Sequence, residues 1–400
     1  MSKKRWSWLC FSLCYLGYMS LYICRNNLSI ISPLLVKEGL ATASQVGLLT
    51  GLFSLGFAGG KVLFGSLGDR FDPKVIAASG ILISGVSNLL IGIFADGGFY
   101  IMLLLWILNS IGQSLVWGPC LRLMIMNFPH EKVPFVNSML VTTTASGSIA
   151  GILIASALAQ VKVEPGFLVP GVIALSAALL LLFLFPGESK SGSGQKAQKG
   201  GLIAVLKHRS VRRMLLPAFA HGVIKDNVLN WASLFLAVRY ALDLKSLPIF
   251  IILIPLISFV GRLCYPVFFR ICKNNPVRVS VVCFAGSLLA SVPLALDLLP
   301  VWPAAVLLVL ISTFGNVMNT SFLTMFPITM ERHGLVSSTA SLMDVVTYSA
   351  LGLSSALFGL LIDHFGVGGY QMMFGAFIVM GVIGIATLWK SSRGKENAKD

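Results

Sequence analysis

Twelve apolar runs of about 20 residues or more succeed one another along this chain and leave little sequence for anything else. They fall at roughly residues 8–36, 45–66, 75–95, 99–126, 134–159, 166–186, 214–240, 247–269, 277–297, 301–328, 336–362 and 368–389. A helix of that length matches the hydrocarbon thickness of a bilayer, whereas an isolated strand would leave its backbone polar groups unsatisfied in lipid. The expected fold is therefore an all-α integral membrane protein with twelve transmembrane helices. Composition points the same way: 56% hydrophobic against 11% charged residues and a mean hydropathy of +0.86 lie outside the range of soluble domains.

A net charge of +15 in a soluble protein would suggest a nucleic-acid partner; in this chain it reads as topology. With the N-terminus inside, the inward segments hold 21 Lys and Arg residues, whereas the outward loops hold only Lys37, Lys162, Arg239 and Lys245. That asymmetry places both termini in the cytoplasm, with the bilayer as partner and no nucleic acid. The opening MSKKRW has the charge of a signal peptide, but no good cleavage site follows. Trp6 and Trp8 instead suit the membrane interface of an uncleaved first span. The seven cysteines show neither paired nor zinc-type spacing, so free thiols are expected and no metal or cofactor.

The one long connection, 187–213, contains SKSGSGQKAQKGG and KHRSVRR and reads as a flexible basic cytoplasmic linker. It separates a six-helix bundle over 1–186 from a second over 214–400, which ends in a short cytoplasmic tail. The halves correspond. Arg25 in YICRNNLSII is answered by Lys225 in GVIKDNVLNW, and Asn27 by Asn227; Gly60-Lys61 is matched by Gly261-Arg262, Pro73 by Pro276, and Gly112 by Gly315. The offsets cluster between 200 and 203, where coincidence would scatter them. Two parallel six-helix repeats related about the membrane normal resemble the major facilitator architecture, which implies a substrate site near mid-membrane between the halves.

Two local patterns sharpen the resemblance. GSLGDRFDPK, between the second and third spans, is similar to the major facilitator loop signature, which implies that Asp69 and Arg70 act as conformational-switch residues and not as ligands. WGPCLRLM in the fourth span, with Tyr18, Tyr22 and Arg25 in the first, Gly60-Lys61 in the second and Leu229–Trp231 in the seventh, resembles the organophosphate:phosphate antiporter family. That family exchanges sugar phosphates or glycerol phosphate for inorganic phosphate and includes a transporter-like sensor. The resemblance implies a bacterial inner-membrane location and a monomer. The chain also departs from the family pattern. Lys225 stands where arginine is common, Asn230 replaces the aspartate of LDW, and Asn26 replaces the cation after the first-span arginine. Ser146 occupies the place of a histidine, and Phe250 that of a glutamate. The cationic scaffold is kept and several tuning groups are not, so substrate identity is not inherited.

Inside the spans, five bases (Arg25, Lys61, Arg122, Lys225 and Arg262) face two acids, Asp226 and Asp344. A cation at the centre of a bilayer costs at least ~2.5–3.5 kcal/mol on insertion scales, so excess positive charge calls for an anionic guest. Arg25 and Lys225 are the leading ligands. Tyr22 and Tyr18 lie three and seven residues before Arg25 and Ser29 four after it, one helical face of hydroxyls around a guanidinium suited to phosphate or carboxylate. Asn227, His221, Trp117, Lys61 and Arg262 are further candidate substrate contacts, and Trp231 and Tyr348 candidate cavity walls. Lys61 is equally readable as one half of a gate with Asp344, which lies about 10 Å inside the cytoplasmic end of its span by helical rise. Arg122 suits a gate role through Asp69, or snorkelling to the interface. Asp226 points about 100° from Lys225 on an unbroken helix and, with His221 and Asp344, is a candidate for proton coupling. The glycines of GLFSLGFAGG and ASGSIAG fit close helix contact and lack the Lys-Ser/Thr ending of a phosphate-binding loop.

The expectation is a non-enzymatic secondary transporter that moves a small organic anion by alternating access, the cargo being a phosphorylated metabolite exchanged for inorganic phosphate. Two alternatives stay open: a proton-coupled carboxylate or sugar-acid transporter, and a sugar-phosphate receptor of transporter-like fold that signals without flux.

Overall fold

The computed structural model describes residues 3–64, 71–158, 162–186, 205–243, 245–333 and 335–396, and all regular structure among them is helical. In chain order the helices are α1 (Lys3–Lys37), α2 (Ala43–Phe64), α3 (Pro73–Ile93), α4 (Phe99–Ser114), α5 (Trp117–Asn127), α6 (Val133–Val141), α7 (Thr143–Leu158) and α8 (Pro165–Leu184). There follow α9 (Arg209–Lys225), α10 (Asn227–Tyr240), α11 (Leu247–Ile251), α12 (Leu253–Leu263), α13 (Tyr265–Ile271), α14 (Pro276–Ala295), α15 (Val301–Thr320), α16 (Phe326–Ile328), α17 (Val336–Phe365) and α18 (Val367–Glu396).

Ten described stretches are long and apolar enough to cross a membrane, and the bent pair Leu247–Leu263 and Tyr265–Ile271 makes an eleventh. Large apolar side chains stand on the outside, Leu104 at 69% exposure and Phe183 at 79% among them, as a lipid solvent requires. Several expected spans are not one plain helix, the eighth and the seventh among them. The eighth bends by 52° at Cys264, just before Pro266, which brings no backbone N–H to the preceding turn. The seventh is broken at Asp226, which separates 17-residue α9 from 14-residue α10, each too short to span the bilayer alone.

The chain divides into two compact units: Met1–Ala41 with Gly56–Ala197 and Asp243–Pro248, and Thr42–Leu55 with Gln198–Leu242 and Ile249–Asp400. Most of the basic linker lies outside the described residues, while α9 already begins at Arg209, within the stretch read as linker. In the first unit α3 packs on α8 and α4, and α1 on α7 and α8. Small residues set these distances: a Cβ on Gly171 would lie 2.7 Å from Leu89 N, and one on Gly147 would lie 2.6 Å from Met19 O and 2.7 Å from Tyr22 Cβ. A buried amide layer then locks α1 in place. Asn27 donates to Asn88 Oδ1 (3.0 Å) and Gly166 O (3.1 Å), Asn109 to Cys24 O (3.3 Å), and Gln113 to Leu21 O (3.1 Å). In hydrocarbon such donors must find acceptors, so this layer fixes the rotation of α1 as well as its position.

In the second unit α9 packs on α17 and α18, α14 on α15 and α18, and α12 on α15. The first half of α2 rests on α17 through glycines on both sides. A Cβ on Gly51 would lie 2.7 Å from Gly352 O, and one on Gly359 2.7 Å from Ala43 O. Asp363 Oδ1 accepts from Ala43 N at 3.0 Å and so satisfies one free donor at the start of α2. The seven cysteines are free thiols.

The glycine contacts are backbone against backbone and cannot yield by a side-chain rotation. Gly171→Leu is expected to destabilise the first unit by about 1–3 kcal/mol or more, read as a lower apparent melting temperature of detergent-solubilised protein.

Candidate functional site

Within the first unit, α1 carries Tyr18, Tyr22 and Arg25 at i, i+4 and i+7 on one helical face. The Tyr18 ring meets Tyr22 at 5.7 Å edge-on and Trp117 at 5.0 Å, so three residues chosen from the sequence form one aromatic patch. Gly147 and Gly151 bring α7 against α1 beside Tyr22. One turn further in, Tyr15 shares hydrogen bonds with Thr142 Oγ1 (2.9 Å) and Ser146 Oγ (3.1 Å), so the serine in the histidine's place is engaged with a tyrosine. Asn26 donates to Ser148 Oγ at 2.7 Å.

Two first-unit cations, Arg25 and Lys61, meet at one aromatic ring. Arg25 Cζ lies 5.6 Å and Lys61 Nζ 4.7 Å from the Phe57 centroid, distances at which the negative face of the ring attracts both. Phe57 lies one turn before Lys61 on α2, held near α4 by Gly60, whose Cβ would fall 2.2 Å from Ser114 Oγ. Sequence reasoning missed Phe57 because one phenylalanine among 26 carries no distinguishing mark; its i, i+4 relation to Lys61 was the available signal.

In the second unit Lys225 is 9% exposed and bonded to Asp226 Oδ2 at 3.1 Å, with the Tyr348 ring 5.9 Å from its Nζ. The expected divergence of Lys225 and Asp226 does not hold, because the helix breaks at Asp226 and frees that carboxylate to turn back. Charge compensation is thus met by the next residue, which reduces the surplus positive charge of this unit. Gly315 makes room for Lys225: a Cβ there would lie 3.2 Å from Lys225 Cα.

Arg262, on α12, donates through Nη2 to Asn316 Oδ1 on α15. Asn227 gives both amide hydrogens to structure, to Val223 O and Ser354 Oγ, each at 2.8 Å, and Trp231 Nε1 donates to Ser355 Oγ at 3.1 Å. These two tie α10 to α17. His221 is fully buried, edge-on to Phe322 at 5.4 Å, with neither ring nitrogen hydrogen-bonded among the described residues. Phe322 belongs to a π-type turn, Ser321–Met325, that interrupts the end of α15. Arg122 is half-buried on α5, and Asp344 lies on α17. Asp69 and Arg70, the expected switch residues, lie outside the described residues.

Cations thus stand on the first, second, seventh and eighth spans, Lys225 buried and Arg25, Lys61 and Arg262 half-buried, and comparison with known proteins places the chain. The Major Facilitator Superfamily model matches residues 14–347, and the chain belongs to that superfamily of membrane transporters. It is 27% identical over 181 residues to a phosphoglycerate transporter protein of Salmonella typhimurium, matching 44% of this chain to 39% of that relative; the match spans well under half the relative's length. It is 28% identical over 397 residues to the probable sulfoacetate transporter SauU of Cupriavidus necator, covering 92% of this chain and 90% of the relative. The fold is that of a bacterial homologue of the human lysosomal transporter Spinster, solved inward-facing and unoccupied, at a TM-score of 0.79 and 15% identity over 98% of each chain.

If Phe57 stabilises two neighbouring cations, Phe57→Leu keeps an apolar side chain and removes that attraction. Ligand-free stability is expected to fall by about 1 kcal/mol, whereas the same change at Phe183, an exposed lipid-facing residue, is expected to leave the apparent melting temperature unchanged.

Proposed function

We propose that the protein carries a small organic anion across a bacterial inner membrane by alternating access, with both termini on the cytoplasmic face. Arg25 supplies the principal grip from the first unit and Lys225 the second. The observation that carries this reading is the pair of cations around Phe57, Arg25 beside Lys61: two like charges gathered in an apolar helical bundle are favoured when a guest anion binds between transitions. Arg25 offers a planar fork for two acceptor oxygens and Lys61 a point charge, a combination suited to a phosphate or sulfonate group. Tyr18, Tyr22 and Trp117 would wall the site on the same unit.

The cargo proposed is a phosphorylated small metabolite, the class named by the Salmonella relative, with inorganic phosphate as the proposed exchange partner. A second reading, a sulfonate bearing a carboxylate, is favoured by the one reported relative that aligns over nearly the whole chain. Both place an oxygen-rich acid group at Arg25. A monomer suffices, since each cation pair is built within one chain. Cargo affinity must differ between the two facing states if binding is to drive their exchange. Lys61 and Asp344 are proposed as the gate that breaks during that exchange.

Counterflow into proteoliposomes loaded with inorganic phosphate separates the cargoes when glycerol phosphate, phosphoglycerate and sulfoacetate are offered outside. Binding of any of them without counterflow would favour a receptor instead. Arg25→Lys keeps the charge and loses the fork; uptake is expected to fall by about tenfold or more, and near-normal flux would count against direct anion contact. For the gate, Lys61→Asp combined with Asp344→Lys is expected to recover part of the activity that either single change removes.

A further inference from the structure

α15 acts on both second-unit cations at adjacent residues. Gly315 lets α15 approach the backbone of Lys225, and Asn316 accepts from Arg262 Nη2. The orientation of the Asn316 amide is fixed from its own helix, since Nδ2 donates to Ser312 O at 3.0 Å and leaves Oδ1 to face α12. One turn earlier Ser258 donates to Ser312 Oγ at 2.9 Å, and Gly261, whose Cβ would lie 2.3 Å from Thr313 Cγ2, lets the two helices close at that level. The arginine is thus held by a neutral amide that leaves its charge intact. Its Nε is buried and without a hydrogen-bond partner among the described residues, although a guanidinium donor in that position strongly favours an acceptor.

We propose that Asn316 is a positioning residue for the anion site: it takes one Nη2 hydrogen of Arg262 and so presents the Nε–H edge of the guanidinium, alongside Lys225, to an acid group of the cargo. The group that fits is a carboxylate, sulfonate or phosphate with two acceptor oxygens, because an arginine edge binds such groups through paired hydrogen bonds. This deepens the anion-transport reading and rests on it. The arrangement assigns distinct roles to the two bases. Lys225 is largely balanced by Asp226 and supplies a donor, whereas Arg262 supplies net charge.

Asn316→Asp tests the assignment, being nearly isosteric and keeping the acceptor for Arg262 while cancelling its charge. Phosphate counterflow, with glycerol phosphate and sulfoacetate as competitors, should show an apparent KM raised by about tenfold or more at little-changed maximal rate. Arg262→Gln should do the same, and the double variant should be no worse than Arg262→Gln alone. Loss of the Nδ2 donor to Ser312 O would by itself lower stability and not KM, so a wild-type KM in Asn316→Asp overturns the proposal, as does a wild-type KM in Arg262→Gln. If Asn316→Asp does not fold, Asn316→Ala carries the test; it releases the guanidinium without adding charge and should raise KM several-fold, with an unchanged KM overturning the assignment. Failure of the broader reading looks different: the wild-type protein itself would neither exchange these anions nor gain thermal stability in their presence.

Discussion

A positive charge held inside hydrocarbon is the constraint from which the rest of this structure follows. Each of Arg25, Lys61, Lys225 and Arg262 would be costly on an isolated helix in lipid, and three kinds of partner meet them. The first-unit pair lies against the face of Phe57, Lys225 is answered by a carboxylate on the next residue, and Arg262 by an amide on a neighbouring helix. A carboxylate neutralises the charge it meets, whereas an aromatic face and an amide oxygen moderate the cost of burial without adding an opposite charge.

These placements depend on helices approaching more closely than ordinary side chains permit. Gly60 against Ser114 and Gly261 against Thr313 are equivalent contacts in the two units, and each immediately precedes the cation of its helix. The small residue therefore sets where the long one emerges. Gly315 does the same for Lys225, and Gly147 for Tyr22. In lipid, where apolar side chains gain little from one another, such contacts are the main means of specifying a packing arrangement.

The spans, the superfamily and the repeat were legible because they rest on period and composition, which survive without neighbours. The Arg25–Tyr22–Tyr18 face was legible for the same reason, being one helix read at its own spacing. What escaped notice lies where two helices meet. Phe57 has meaning only because α1 brings Arg25 to it, and Asn316 only because α12 brings Arg262. The divergence expected of Asp226 fails for another reason: it presumes an unbroken helix at a residue where the backbone slackens, with φ −95° and ψ −14°, and that break turns a diverging acid into a partner. Asn227 was chosen by its correspondence with Asn27, and the correspondence is apt in an unexpected sense. Both asparagines commit their amide hydrogens to neighbouring helices.

Asn316 and Gln113 show how a repeat diverges in function while its packing persists. Each follows the glycine that its half uses for close approach, Gly315 and Gly112. Gln113 turns to Leu21 O and Asn109 Oδ1 and becomes part of the layer that fixes α1, whereas Asn316 is turned by Ser312 toward a guanidinium. The difference follows from side-chain length. Gln113 reaches across to the backbone of another helix, whereas the shorter amide of Asn316 stays close to its own helix and meets what α12 presents. One methylene thus separates a structural brace from a group that orients a charge, within a scaffold the two halves otherwise share.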